Sequence, residues 1–415
     1  MIMDELKAVK NFDLTWINEN SNNEKYQSSF ATFVIIFCVI STTDPFWMIS
    51  ALDNGLFCGI SVGIMLNVMT LCSFILFIMC WAVTNSMSYQ TVWSKVLWKR
   101  FSFLPSVAII ISYVYLCYSC TVDFNPELNE IIKDMLGIEN EYPFFEIVLN
   151  AVSVIPFILS SHMGNVFVIS LIGKAGLLIA SCIVCSSFFS KYQKLGFGTL
   201  KNGNLFSVSG NCIIQSYGVF NAAAFFHPSI RYIIQDMKSN SQLSIQRIVT
   251  ISILFAFIVN IIVGVSSYYL CIDGYNSDFS VIHYLNPTLI STEIAKIGYC
   301  LSNFASLCCY HKIVSLELSN MIYITSPKIK LIRIITGTSV FFGIITMTLT
   351  PSSGIWFLNT LSRLSFLLLA FILPPVFYLA KFGLKNTLWS TISCCIIFVS
   401  IPISVLEMYQ VFSQK

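Results

Sequence analysis

The stretch that decides the fold is Gly218-Val219-Phe220-Asn221-Ala222-Ala223-Ala224-Phe225-Phe226-His227-Pro228. It lies inside an otherwise apolar run, about residues 206–235, that as a helix spans the roughly 20-residue thickness of a bilayer core. Small residues and Asn221 sit at its middle, and His227-Pro228 follows. A proline lacks an N–H donor, clashes with the preceding turn and pushes the residue before it out of helical geometry. A second apolar run, about residues 28–52, carries Ser41-Thr42-Thr43-Asp44-Pro45 near its middle. There Asp44 reads as an N-cap and Pro45 as a first helical residue. One helix is expected to stop near Ile40 and another to start near Pro45.

The rest of the chain explains why such breaks matter. Of 415 residues, 56% are hydrophobic and 10% charged. Soluble domains carry about 25% charged residues, so this chain cannot cover a water-facing surface and needs lipid on most sides. The net charge of +3 is too small to suggest a nucleic-acid partner. Most of the fifteen cysteines lie in apolar runs, where Cys acts as a small hydrophobe, and no structural metal is expected.

Eleven spanning segments are predicted, about 28–52, 57–83, 102–122, 143–161, 164–189, 206–235, 248–271, 291–322, 331–350, 354–380 and 388–412. They are helices because only a helix satisfies its own backbone groups in lipid. With the N-terminus in the cytosol, fourteen Lys and Arg of the connections lie inside and five outside, which favours that orientation although the fifth–sixth connection runs against it. A polar tail, 1–27, precedes the spans, and a long outer connection covers about 123–142. No segment is large enough for a separate catalytic domain, so function lies among the helices and no enzyme is expected.

The two interrupted spans are the first and the sixth. Transporters made of two inverted five-helix repeats place broken helices five apart, with the ligand at the breaks. The expected division is 28–189 for one repeat and 206–380 for the other, with 388–412 as an additional eleventh helix. A break frees backbone N–H and C=O groups at mid-membrane depth, tolerated only beside a cavity or ligand. Half-helix N-termini attract an anionic group such as a carboxylate. The alternative is a proline kink with no ligand.

These residues resemble the amino acid/auxin permease family of the APC superfamily, whose members have a LeuT-like fold. The sharpest part is Phe225-Phe226-His227-Pro228-Ser229-Ile230 with Ile233-Ile234-Gln235-Asp236-Met237-Lys238. Ser88-Tyr89, Ile155-Pro156, Ser267-Tyr268-Tyr269 and Phe371-Ile372-Leu373-Pro374-Pro375-Val376-Phe377-Tyr378 are similar to further family segments. The first span departs, with Ser41, Thr43 and Asp44 where the family has a Gly-x-Gly-Ile pattern. The eighth departs too, with Tyr310-His311 in place of Tyr-Pro. The resemblance implies an all-α secondary transporter moving amino acids by alternating access, coupled to H+ or Na+ or running as a uniporter, with no other cofactor. Two readings stay open beside it: transport of another small solute, and an amino acid sensor that does not transport. The expected membrane is the plasma or the vacuolar membrane.

The candidate substrate-binding residues are Ser41, Thr42, Thr43, Asp44, Phe220, Asn221, Ala222 and Ala224. Asp44, Ser302, Asn303, Ser306 and His227 are the candidate ion-coupling residues. An intramembrane carboxylate such as Asp44 is costly and marks either a helix cap or a cation or proton site. His227 either relays protons or bonds within the bundle. Ser302 and Ser306 share one helix face at i, i+4, and Asn303 adjoins them. Related folds place a sodium site between spans one and eight, and hard cations take oxygen ligands. The alternative is interhelical hydrogen bonding. Glu293, Lys296, Lys312 and Glu317 are expected near the ends of span eight, the last two snorkelling. Lys174 and Arg363 lie deeper, and the sequence names no partner for either.

Overall fold

The computed structural model describes residues 28–40, 52, 55–136, 143–160, 163–195, 213–214, 216–218, 220, 225–235, 242–271, 281–286, 289–322, 329–349, 354–384 and 386–413. No strand occurs among them. The helices run in the order α1 (Ser29–Ile40), α2 (Leu56–Thr84), α3 (Tyr89–Val96), α4 (Leu104–Leu136), α5 (Pro143–Leu159) and α6 (Phe167–Leu195). They continue with α7 (His227–Ile234), α8 (Gln242–Cys271), α9 (Ile290–Ile322), α10 (Ile329–Leu349), α11 (Gly354–Leu367), α12 (Leu373–Phe382) and α13 (Thr387–Ser413). Among the described residues, seven helices are long and apolar enough to cross a membrane. Their outward faces are apolar, with Ile258, Phe342, Phe398 and Val405 each more than half exposed. That is the surface lipid requires and water would penalise.

Helix α9 is equally long but more polar, and the reason is its position. It packs along α6 and α4 and also touches α10 and α5. Ser302, Asn303, Ser306, His311, Lys312, Ser315, Glu317 and Ser319 on it are all buried. A helix surrounded by protein can carry polar side chains that lipid would expel, provided each finds a partner. Two Cys-x-x-Cys pairs, Cys117–Cys120 and Cys182–Cys185, lie inside α4 and α6. Among the described residues, no three His, Cys, Asp or Glu side chains converge as a metal site would need.

Two expectations need correction. The outer connection is not a loop from residue 123: α4 continues to Leu136, with Pro126 inside it. Hydropathy falls there, but Glu127, Leu128, Glu130, Ile131, Ile132 and Lys133 are residues a helix accepts, and the segment packs on protein. Lys296, in the second turn of α9, is buried and paired with Glu130 at 2.7 Å and Glu293 at 3.3 Å. Lys312 and Glu317 do not snorkel but are buried and hydrogen-bonded.

The tenth predicted span contains one π turn, Leu368–Ile372, between α11 and α12. Such a turn disturbs the regular carbonyl ladder. Here the Leu369 carbonyl accepts from the Tyr89 hydroxyl at 2.8 Å, and the Ala370 carbonyl accepts from Ser73. Tyr89 belongs to the Ser-Tyr pair of the sequence pattern, which thus serves to secure a distorted helix some 280 residues away.

Backbones of α6 and α9 come into contact through glycine. A Cβ on Gly176 would lie 2.8 Å from the Gly298 carbonyl oxygen, and one on Gly298 only 2.4 Å from that of Gly176. A Cβ on Gly173 would meet Ala305 Cβ at 2.5 Å. Gly343 on α10, by contrast, has open space within 4 Å. Gly298→Ala is therefore expected to destabilise by about 1–3 kcal/mol through overpacking. Gly343→Ala should stabilise by roughly 0.5–1 kcal/mol, because Ala loses less backbone entropy in a helix. Thermal unfolding of the two variants in detergent reads the opposite signs directly.

Candidate functional site

The sixth span is interrupted. Residues 216–218 and 220 are helical, Phe225 and Phe226 are not, and α7 starts at His227 with Pro228 in its first turn. Phe226 has φ −136° and ψ −13°, outside the helical range. Its carbonyl accepts from the Ser229 N–H at 3.0 Å and the Ser229 hydroxyl at 2.6 Å, so the side chain of the new helix helps close its own first turn. Both phenylalanines are fully buried. Phe225 packs on Tyr113 of α4 at 5.3 Å and on Phe366 of α11 at 4.5 Å, measured between ring centroids. Phe226 packs on Phe74 of α2 at 5.7 Å. Tyr113 in turn meets Tyr310 of α9 at 5.6 Å. Rings from α2, α4, α9 and α11 thus converge on the break.

The described part of the first span reaches the same place. A cavity of about 10 Å³ is lined by Ile40 at the end of α1, by Phe220 and Phe226, and by the polar Asn67, Thr70 and Asn260. That volume suits about one water molecule. α1 is tied to α9 near Ile40: Tyr310 donates to the Val39 carbonyl at 3.2 Å, and Cys309 Sγ lies 3.7 Å from Cys38 Sγ.

Of the candidate residues, Ser41, Thr42, Thr43, Asp44, Asn221, Ala222 and Ala224 lie outside the described residues. Phe220 is buried, its ring seated over Gly63 of α2, where an added Cβ would come within 2.6 Å. His227 is buried between Phe226, stacked at 4.7 Å, and Phe74, at 5.8 Å. Ser302 and Ser306 do come together on one face of α9. Between them stands a group whose partner the sequence does not name. The ammonium of Lys174, on α6, donates to Ser302 Oγ at 2.9 Å and to Ser306 Oγ at 3.2 Å. One turn before it, Ser170 contacts Cys309 Sγ at 3.4 Å. Lys174, Ser302, Asn303 and Ser306 are all buried. A second monovalent cation about 4 Å from that ammonium would meet roughly 4 kcal/mol of repulsion at an effective dielectric near 20.

At the α9 end nearer Ile322, Tyr232 of α7 donates to the Glu317 carboxyl, and Asn320 donates to the Tyr232 oxygen at 3.2 Å. Lys312 donates to the Ser160 carbonyl and, at 2.9 Å, to its hydroxyl. These bonds join the second half of the broken span, and the end of α5, to the central helix. Tyr113, Phe225, Tyr310, Phe366 and Lys174 are the site residues that sequence reasoning passes over or leaves unassigned. For Lys174 a signal existed: a lone deep cation in one span and an i, i+4 hydroxyl pair in another.

Such a helical bundle, with a buried break in its sixth span beside Ile40 of its first, has the LeuT-like fold. Solved structures agree on that fold. MhsT in complex with L-phenylalanine superposes with TM-score 0.64 over 94% of this chain and 100% of its own, at 12% identity. A Na+-coupled sialic acid symporter in a substrate-bound outward-open state gives 0.57 over 99% and 96%, also at 12% identity. The nucleobase-cation-symport-1 family transporter Mhp1, closed with bromovinylhydantoin bound, gives 0.57 over 94% and 94%, at 13% identity. Residues 49–413 match the family described as transmembrane amino acid transporter protein, and the chain belongs to that family. It is a transmembrane transporter of amino acids. No curated protein compared with it matches.

The Tyr232–Glu317 bond is testable by a double-mutant cycle. Tyr232→Phe leaves a buried carboxyl short of a donor and should cost about 1–3 kcal/mol. Combined with Glu317→Gln, the two effects should fall short of additive by at least about 0.5 kcal/mol in thermal unfolding. Strict additivity would show that the two side chains do not interact.

Proposed function

We propose that the protein moves a free amino acid across its membrane by alternating access, holding it where the broken sixth span meets the first. The observation that carries this reading is the buried non-helical pair Phe225–Phe226, enclosed by rings from α2, α4 and α11, with Phe226 lining a cavity that Ile40 also lines. Freed backbone groups at that depth favour a zwitterion, whose carboxylate and ammonium suit N–H donors and C=O acceptors. Ser41, Thr42, Thr43 and Asp44 from the first span and Asn221, Ala222 and Ala224 from the sixth supply them. Phe220 contributes its backbone, its ring being committed to Gly63. Asp44 is assigned to charge balance at the substrate and His227 to packing at the inner half-helix.

The same reading takes residues 28–189 and 206–380 as inverted repeats, 388–412 as a peripheral helix and the 1–27 tail as cytosolic. Its partners are the amino acid and the lipid around it.

Reconstitution into liposomes tests this. Saturable uptake of a radiolabelled amino acid, competed by unlabelled members of a panel, is expected. Ala222→Trp, which fills the break, should reduce it by about tenfold or more. Asp44→Asn should keep exchange of internal for external amino acid while losing net accumulation. Binding without uptake for every amino acid tried would turn the reading into a sensor.

A further inference from the structure

We infer that the ammonium of Lys174, on α6, is a built-in cation that takes up the α9 hydroxyls which the sequence pattern offers to Na+, so that this transporter works without sodium. For its consequence in transport the inference rests on the reading above; for cation binding it stands alone.

The residues present do not fit a sodium ion. Hydroxyl oxygens are hard donors that suit either Na+ or an ammonium. Here Ser302 Oγ and Ser306 Oγ each already accept from Lys174, at 2.9 and 3.2 Å. The lysine is 3% exposed and the two serines 3% and 2%, so water does not separate the groups. The stem of the side chain is fixed in place by the helix that bears it. Gly173 and Gly176, flanking Lys174, bring α6 against Leu301, Ala305 and Gly298 of α9 too closely for either helix to slide aside. Facing the same spot from α1 is Cys38, linked through Cys309 to Ser170. Thiols are poor ligands for a hard ion.

A bound sodium ion contributes two things to a transporter. Its charge holds the surrounding helices in one arrangement, and its departure on the far side couples transport to a gradient. A tethered ammonium provides the first and cannot provide the second, since the lysine never leaves. The chain therefore keeps the helix-fastening charge while giving up sodium as a source of drive.

The decisive experiment is equilibrium binding of radioactive sodium to the purified full-length chain, with uptake compared in sodium and choline media. The wild type is expected to bind at background level and to take up substrate equally in both. Lys174→Ala should gain saturable sodium binding of at least about tenfold over wild type, lost again when Ser302→Ala and Ser306→Ala are added. Lys174→Met, close in volume, serves if the alanine variant does not fold. Saturable wild-type binding that Ser302→Ala abolishes would overturn the inference, as would a wild-type uptake rate that collapses in choline. The binding measurement needs no transport. A protein that moves no amino acid and binds no sodium would count against the transport reading while upholding this one.

Discussion

Inside a bilayer no water is on hand to satisfy a backbone N–H or C=O, so any departure from helix must be answered by the protein itself. Two departures are visible and both are answered. At the π turn, hydroxyls of Tyr89 and Ser73 reach the Leu369 and Ala370 carbonyls. At the sixth-span break, the Ser229 side chain and N–H take up the Phe226 carbonyl, and aromatic rings pack around Phe225 and Phe226. The two differ in purpose. The π turn is bound to neighbouring side chains on both exposed carbonyls and reads as architecture. The break opens onto a polar-lined cavity and reads as a site.

Helix α9 meets the second half of the broken span and much of the bundle around it. Its sequence is too rich in hydroxyls and charges for a lipid-facing span, and it is buried along α4, α5, α6 and α10. From that position it supplies a partner to nearly every irregular element: Tyr310 to α1, Glu317 and Asn320 to α7, Lys312 to the end of α5, and Ser302 and Ser306 to α6. A polar helix in the middle of an apolar bundle stays folded because each charge is met. Lys296 with Glu130 and Glu293 shows the same rule at its other end.

Much of this was legible in the residues. Span positions follow from runs of about 20 apolar residues, and the sixth-span break follows from Asn221, the alanines and His227-Pro228. Pro228 does open α7, and Ser302 and Ser306 do share a face. What escaped was whatever depends on a partner distant in sequence. Hydropathy ended the third span near residue 122, because it scores transfer to lipid and not helix formation against protein; the true end is Leu136. It set Lys312 and Glu317 at the interface for the same reason. Lys174 was visible as a deep charge, but its distance from Ser302 is 128 residues in the chain and 2.9 Å in space. Tyr113 and Phe366 look like ordinary core aromatics until the break is seen to lie against Phe225.

The contacts also divide by strength, and that division indicates what can move. α6 and α9 meet backbone to backbone at Gly176 and Gly298, a close approach with little room for rearrangement. α1 and α7 are joined to α9 by hydrogen bonds from Tyr310 and Tyr232, each worth about 1 kcal/mol net, somewhat more where a charge takes part. A cycle that exposes a central ligand first to one side and then to the other must break and remake contacts on every turnover, which favours weak ones. The half-helices that frame the break are thus the movable parts, and α4, α6 and α9 the frame they move against. Lys174 sits on the frame side of that division, within the glycine-packed seam. A charge placed there steadies the frame in every state and is poorly placed to come and go with the ligand.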